Sequence, residues 1–247
     1  GVSRPVNSPR PAYARPLAGA IVMPRFAVIL PAAGRSMRFG SGEKKVFADL
    51  EGRPVWRRAL DLFLCRSDVW QCVIVTAPED RERFAGATAD RRVQIADGGA
   101  ERFESVANAL AITTSEADFV AVHDAARPCT APALIDAVFG RAAETGAALL
   151  AVPVADTIKR DDGAGRVGAT IPRDGLWLAQ TPQVFRRDWL LAAYARRAVL
   201  GAGITDDAQL VEAAGHAVCL VPGSAANRKI TTPEDLYLAA AILRARA

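Results

Sequence analysis

The stretch Phe26-Ala27-Val28-Ile29-Leu30-Pro31-Ala32-Ala33-Gly34, followed by Arg38 and the pair Lys44-Lys45, decides how the rest of this chain is read. A short apolar run of this kind suits a buried strand, because a parallel strand covered on both faces is apolar throughout. The run stops at Pro31. Ala32, Ala33 and Gly34 have almost no side chain, so a ligand can lie directly on their backbone amides. Arg38 and Lys45 can then neutralise the oxygens of a phosphate chain. Together these features read as a nucleoside-triphosphate site. Neither common phosphate loop matches: the dinucleotide fingerprint finds only Gly34 in place, and neither Gly40 nor Gly42 is followed by the lysine of a P-loop.

Outward from this strand the chain alternates short apolar runs with helical periodicity. Strands are expected at 26–30, 71–76, 92–96, 118–123, 147–152 and 217–221. Helices are expected at 54–65, 101–112, 132–145, 187–199, 206–214 and 233–246, with Pro54 and Pro132 in first-turn positions and Thr232 to Asp235 as a helix start. This alternation predicts an α/β fold, a mostly parallel twisted sheet with helices on both faces. Ligands bind such sheets beyond the carboxyl ends of the strands. Residues 153–186 break the rhythm and are expected to form an extended arm or hairpin.

The 247 residues can bury a sizeable core. No apolar stretch approaches the ~18–20 residues of a membrane span. The formal charge of +4 carries three arginines from residues 1–22 (Arg4, Arg10 and Arg15, with no acid), so the remainder is only +4 − 3 = +1. The basic balance therefore does not signal a nucleic-acid surface. That segment also holds Pro5, Pro9, Pro11 and Pro16, and is expected to be a disordered or weakly ordered extension, or the product of an alternative start at Met23. Residues 23–247 are then one domain. Cys65, Cys72, Cys129 and Cys219 contain no C-x-x-C pair and are expected to be buried free thiols of a cytoplasmic protein.

Two further loops follow predicted strands. Asp97-Gly98-Gly99-Ala100-Glu101-Arg102 precedes a helix carrying Ser105; two glycines before a helix N-terminus make an edge of free amides, and Arg102 and Ser105 share one face. His123-Asp124-Ala125-Ala126-Arg127-Pro128 repeats the logic of the first loop. Asp124 can hold a ribose hydroxyl or a metal ion, and Arg127 a phosphate. His123 points away from Asp124 by strand alternation and reads as a packed, hydrogen-bonded histidine; His216 reads as a surface residue. Asp156 to Lys159, Arg173 to Gln183 and Asn227 to Thr231 each bring a cation or hydroxyl towards the same edge.

With these loops in this order over nearly all of residues 25–246, the chain resembles the methylerythritol phosphate cytidylyltransferases of non-mevalonate isoprenoid synthesis. The resemblance implies a Rossmann-like nucleotidyltransferase fold with a β-arm, and transfer of a cytidylyl group from CTP to a sugar-alcohol phosphate. It implies that Pro31, Ala32, Ala33 and Gly34 cradle CTP, that Arg38 and Lys45 are the transition-state cations, and that Gly99, Arg102, Ser105, Asp124 and Ala125 contact cytosine and ribose. It assigns the sugar phosphate to Arg127, Thr157, Arg173, Thr181 and Lys229, with Arg173 and Lys229 holding the attacking monoester. It further implies Mg²⁺ bridging the triphosphate, with no protein ligands assigned, and a homodimer whose arms exchange, so that Thr157 and Arg173 serve the neighbouring site. Departures from the family pattern are Ser36 for a glycine, Lys44 for a proline, Ala100 for an aspartate, Ala226 for an acidic residue and Arg228 for an isoleucine. Ribitol-phosphate cytidylyltransferases share the nucleotide loops, but Arg173 to Gln183, with Trp177 among them, resemble the isoprenoid enzymes more closely. A silent nucleotide-binding module would have no reason to keep cations for both substrates, and a nicotinamide enzyme would need the absent glycine fingerprint.

Overall fold

The computed structural model describes residues 23–34, 39, 43–197 and 204–246. The expectations for residues 1–22 and for Ser36 and Arg38 lie outside these residues. In chain order the strands and helices are β1 (Phe26–Pro31), β2 (Asp49–Leu50), β3 (Arg53–Pro54), α1 (Val55–Leu64), β4 (Val69–Thr76), β5 (Val93–Asp97), α2 (Arg102–Ala111), β6 (Phe119–Val122), α3 (Pro132–Thr145), β7 (Ala147–Pro153), β8 (Ile158–Asp161), β9 (Val167–Ile171), β10 (Trp177–Arg186), α4 (Arg187–Ala195), α5 (Asp207–Ala213), β11 (Cys219–Pro222) and α6 (Pro233–Arg244).

The main sheet has seven strands in the order β11-β7-β10-β6-β1-β4-β5. All neighbours pair in parallel except β10, which runs antiparallel to both β6 and β7. Strand β1 lies between two parallel neighbours, and its alternate residues feed two different cores. Phe26, Val28 and Leu30 pack with Leu60 and Phe63 of α1 and Ile135 and Phe139 of α3. Ala27 and Ile29 pack with Val106 and Leu110 of α2, Leu190 of α4 and Leu210 of α5. This two-sided cover explains why the run is apolar at every position; each large side chain buried in this way contributes about 1.5–3 kcal/mol. No described helix is long and apolar enough to cross a membrane.

The expected arm at 153–186 divides in two. Strands β8 and β9 form a separate two-stranded hairpin, whereas the second half of β10 is a central strand with Gln183 paired to Val122 and Leu149. Three polar residues, Gln180, Thr181 and Gln183, conceal that strand from hydrophobic patterning, although all are buried. Its register against β7 jumps between Ala179 and Gln183, an irregularity of the kind that re-aims side chains beside active sites.

Other differences are local. Pro54 is the N-cap of α1, one place before the first turn, because it also closes the β2–β3 pair. Cys65 is exposed, since it caps the far end of α1, while Cys72 and Cys129 are buried; all four thiols are free. His216 is half-buried, its ring stacked on Trp189 with centroids 3.9 Å apart. A 3₁₀ segment at Pro78–Ala89 has little amphipathic pattern and was not expected. The helix expected at 187–199 is α4, and residues 198 and 199 lie outside the described residues.

The loop before α6 is pinned to the sheet by the fully buried Asn227. Its Nδ2 donates to the Thr181 carbonyl at 2.9 Å and to Gln180 Oε1 at 3.2 Å, and its Oδ1 accepts from the Thr130 hydroxyl at 2.8 Å. Asn227→Ala strands these buried partners and should lower stability by ~2–3 kcal/mol. Urea denaturation reads this directly; an unchanged midpoint would mean that the loop is held by other contacts.

Candidate active site

The carboxyl ends of β1, β5 and β6 open into a cleft of about 410 Å³. It is lined by Pro31, Ala33 and Gly34 from the first loop, Gly98 to Arg102 and Ser105 from the second, Asp124 and Ala126 from the third, and by Lys44, Lys45, Glu79 and Lys229. Three loops far apart in sequence meet because their strands end side by side at this edge, as the topology of a parallel sheet requires.

Close backbone approach is built into this meeting point. A Cβ on Gly98 would stand 2.7 Å from the Ala33 Cβ, and one on Gly99 would stand 2.2 Å from the Glu104 Cβ. The first and second loops therefore touch only because both are made of small residues. Gly34 differs: a Cβ there would meet no described atom within 4 Å, so the space in front of it is open to a ligand. Ser105 braces the second loop. It accepts from the Gly99 N–H at 3.1 Å and donates to the Glu101 carbonyl at 3.2 Å, which leaves its oxygen able only to accept from a ligand.

Charge converges on Asp124. Its Oδ2 lies 3.1 Å from Lys229 Nζ and 3.2 Å from Arg127 Nε. Burial pushes this carboxyl up, but the charges of Lys229, Arg127 and Arg102 outweigh it and hold the group well below the usual carboxylate range. Arg127 also donates to the Asn227 carbonyl at 2.7 Å, and only 12 % of its side chain is exposed. Lys229 keeps 42 % of its side chain exposed. Arg102 in turn pairs with the buried Asp207 at 2.7 Å. Lys44 is held by Glu79, at 3.1 Å, and by Asp80, which ties the end of the first loop to the segment after β4.

Behind the cleft a hydrogen-bond relay fixes three of these groups. The Asp124 N–H donates to Thr181 Oγ1 at 3.0 Å, so the Thr181 proton goes to His123 Nδ1 at 3.1 Å. The His123 Nε2–H then donates to the Arg127 carbonyl at 3.1 Å, which assigns the tautomer.

Of the residues singled out in the sequence, Pro31, Ala33, Gly34, Lys45, Gly99, Arg102, Ser105, Asp124 and Lys229 line one cleft. Ala32 and Ala125 are buried beneath it, and Thr181 stands in the relay behind it. Thr157 and Arg173 are exposed on the arm and do not line it; the Arg173 guanidinium donates to the Ala155 carbonyl. Sequence reasoning passed over Glu79, Asp207 and Tyr194. Glu79 lies in a segment without periodicity, and Asp207 reads as an ordinary acidic residue in a first helical turn, so neither carried a signal of its own.

The profile of the 2-C-methyl-D-erythritol 4-phosphate cytidylyltransferase family matches residues 26–245. The protein of that name from Rhodopirellula baltica is 47 % identical over 232 residues, covering 88 % of this chain and 94 % of its own length. Its counterpart from Dechloromonas aromatica is 45 % identical over 231 residues, covering 91 % of this chain and all of its own. The crystal structure of the Thermus thermophilus protein of the same name superposes with a TM-score of 0.73 at 34 % identity, covering 87 % of this chain and 98 % of that one.

The relay has a measurable signature. Burial pushes the His123 imidazole down from 6.5 to about 4, against the pull of the Arg127 carbonyl and Asp124. The unfolded chain therefore takes up this proton first as pH falls. The stability from neutral His123 is complete above about pH 6.5 and is lost towards pH 4, a span worth ~3 kcal/mol. Urea midpoints at pH 7 and pH 4.5 should differ accordingly, and His123→Gln should flatten the difference. An equal slope in the variant would assign the loss to other groups.

Proposed function

The chain belongs to the 2-C-methyl-D-erythritol 4-phosphate cytidylyltransferase family, and on that premise we propose how its residues divide the work. It is a nucleotidyltransferase that moves a cytidylyl group from CTP to 2-C-methyl-D-erythritol 4-phosphate, giving 4-diphosphocytidyl-2-C-methyl-D-erythritol and pyrophosphate. The observation that carries this reading is the meeting, in one cleft, of a small-residue loop, an acceptor edge at Ser105 and the cations Lys45, Arg102 and Lys229. A side-by-side assay of the two sugar phosphates tests the ribitol-phosphate alternative.

A monoester oxygen of the sugar phosphate attacks the α-phosphorus of CTP, a new P–O bond forms, and the bond to the departing pyrophosphate breaks. The nucleophile is already ionised at neutral pH, so no general base is required. The burial of His123 in the relay accords with this. The barrier arises from bringing anions together, and preorganised cations lower it. In this reading Pro31, Ala33 and Gly34 support the triphosphate, with Ala32 and Ala125 packed beneath. Lys45 and Arg38 act on the α-phosphate as charge builds up there. Lys229 retains an exposed ammonium for the monoester while Asp124 orients it, and Arg127 holds Asp124 in turn. Thr181 fixes the backbone of Asp124 from behind.

Mg²⁺ would enter with the triphosphate and neutralise its charge. The donor set suits a metal carried mainly by the substrate: the buried carboxylate that lines the cleft, Asp124, is already committed to two cations, and no cluster of three or more His, Cys, Asp or Glu side chains occurs among the described residues.

Two features support a homodimer in which the arm completes the neighbouring site. Thr157 and Arg173 do not line their own cleft. Around the arm, Val167, Leu176, Trp177 and Leu178 are exposed, at 64 %, 40 %, 38 % and 57 %, an apolar surface of the kind that marks an interaction site. Four free thiols are in keeping with a cytoplasmic location.

CTP should be preferred over UTP by about tenfold to a hundredfold in kcat/KM, because an acceptor-only Ser105 oxygen matches the amino group of cytosine and not the carbonyl of uracil. Ser105→Ala should erode that ratio. Pyrophosphate release with each nucleotide measures both, and equal turnover of CTP and UTP by the unaltered protein would sink the assignment of this edge.

Lys45→Ala should lower kcat by a few hundredfold (~3–4 kcal/mol) with little change in the KM for CTP. Arg173→Ala should instead raise the KM for the sugar phosphate. If the arms exchange, mixing the two variants restores part of the activity, since one site of the mixed dimer holds both intact residues. Absence of recovery in mixed dimers verified with tagged chains would return Arg173 to its own subunit.

A further inference from the structure

Arg102 begins α2 at the rim of the cleft. Its side chain is 35 % exposed, whereas that of its ion-pair partner Asp207 is 1 % exposed. Both oxygens of Asp207 are engaged: Oδ2 accepts from Arg102 Nη2 at 2.7 Å, and Oδ1 accepts from the Tyr194 hydroxyl at 2.6 Å. Asp207 is the first residue of α5, and that helix start is itself fastened. Asp206 caps it by accepting from the Gln209 N–H at 3.0 Å. Gln183 of β10 donates to Asp206 at 2.9 Å and accepts from the Ala208 N–H at 3.1 Å.

No residue of α4 or α5 lines the cleft, so Asp207 and Tyr194 act on a ligand only through Arg102. A buried carboxylate stays where its donors are, because leaving it unpaired is strongly unfavourable. A guanidinium is planar and its donors leave in fixed directions, so anchoring one of them aims the others. An arginine free in solution would lose rotamer freedom on binding a ligand; here part of that ordering is complete beforehand. We propose that Asp207, locked by Tyr194, is a positioning residue for nucleotide binding, presetting the Arg102 guanidinium towards the cytidine half of CTP. The inference rests on reading Arg102 as a nucleotide contact.

Steady-state kinetics and the Kd for CTP test it in the full-length protein. Asp207→Asn keeps the shape of the side chain but weakens the anchor, and should raise the KM and Kd for CTP about tenfold. The KM for the sugar phosphate and kcat should stay within about twofold to threefold. Tyr194→Phe, which keeps the packing, should shift the same constants in the same direction by a smaller factor and provides the test if Asp207→Asn folds poorly. In an Arg102→Gln background, Asp207→Asn should add less than about twofold. A purely structural role would instead move all constants together and give additive effects, and either result would overturn the proposal. A raised CTP constant in Arg102→Gln with unchanged constants in both Asp207→Asn and Tyr194→Phe would overturn it while leaving Arg102 as a nucleotide contact. An unchanged CTP constant in Arg102→Gln would instead overturn that underlying assignment and the proposal with it.

Discussion

A single buried carboxylate organises the reactive end of this protein. Asp124 leaves the end of β6 where Lys229, Arg127 and Arg102 surround it, and their combined field keeps it ionised despite burial. An isolated carboxylate in that place would be costly; Lys229 and Arg127 are held in turn by the charge they satisfy, while Arg102 is held by Asp207. Arg127 extends the cluster to the Asn227 carbonyl, and Asn227 extends it to Gln180, Thr181 and Thr130. The last loop, the antiparallel strand and the third phosphate-side loop are thereby one hydrogen-bonded body. The same charges that gather at the cleft also fasten its walls.

Against that charged floor, the loops above it depend on the absence of side chains. Gly98 touches Ala33, and Gly99 touches Glu104, at distances that leave no room for a Cβ. Small residues here serve two purposes: they let the loops touch, and they leave the cleft open. Two of the departures from the family pattern, Arg228 and Lys44, have local partners. Arg228 pairs with Asp235, the residue whose side chain accepts from the Thr231 and Thr232 N–H groups at the start of α6. Lys44, in place of a proline, fastens the first loop through Glu79 and Asp80.

The sheet was legible from the sequence because strands covered on both faces show as apolar runs, unbroken in β1, β6 and β7 and interrupted only by Gln71 within the apolar part of β4. The three small-residue loops were legible because glycine and alanine before a charge have few other uses at a strand's end. The central placement of β10 was not, since its buried Gln180, Thr181 and Gln183 look like loop residues until their partners are known. Nor was the grip of Asp207 on Arg102, across 105 positions of chain.

By itself, then, the sequence determined the α/β class, the alternation of strands and helices outside residues 153–186, the family resemblance, and the small and charged residue types gathered at the strand ends. These are local properties: periodicity, turn chemistry, and small or charged residues at the ends of runs. Tertiary structure alone decided which carboxylates Lys44, Arg102, Arg127 and Lys229 pair with, the tautomer of His123, and the separation of the 158–171 hairpin from the strand that follows it. Those outcomes depend on pairings between residues far apart in the chain, and a hydrogen bond or ion pair acts over a few ångströms in space whatever the separation in sequence.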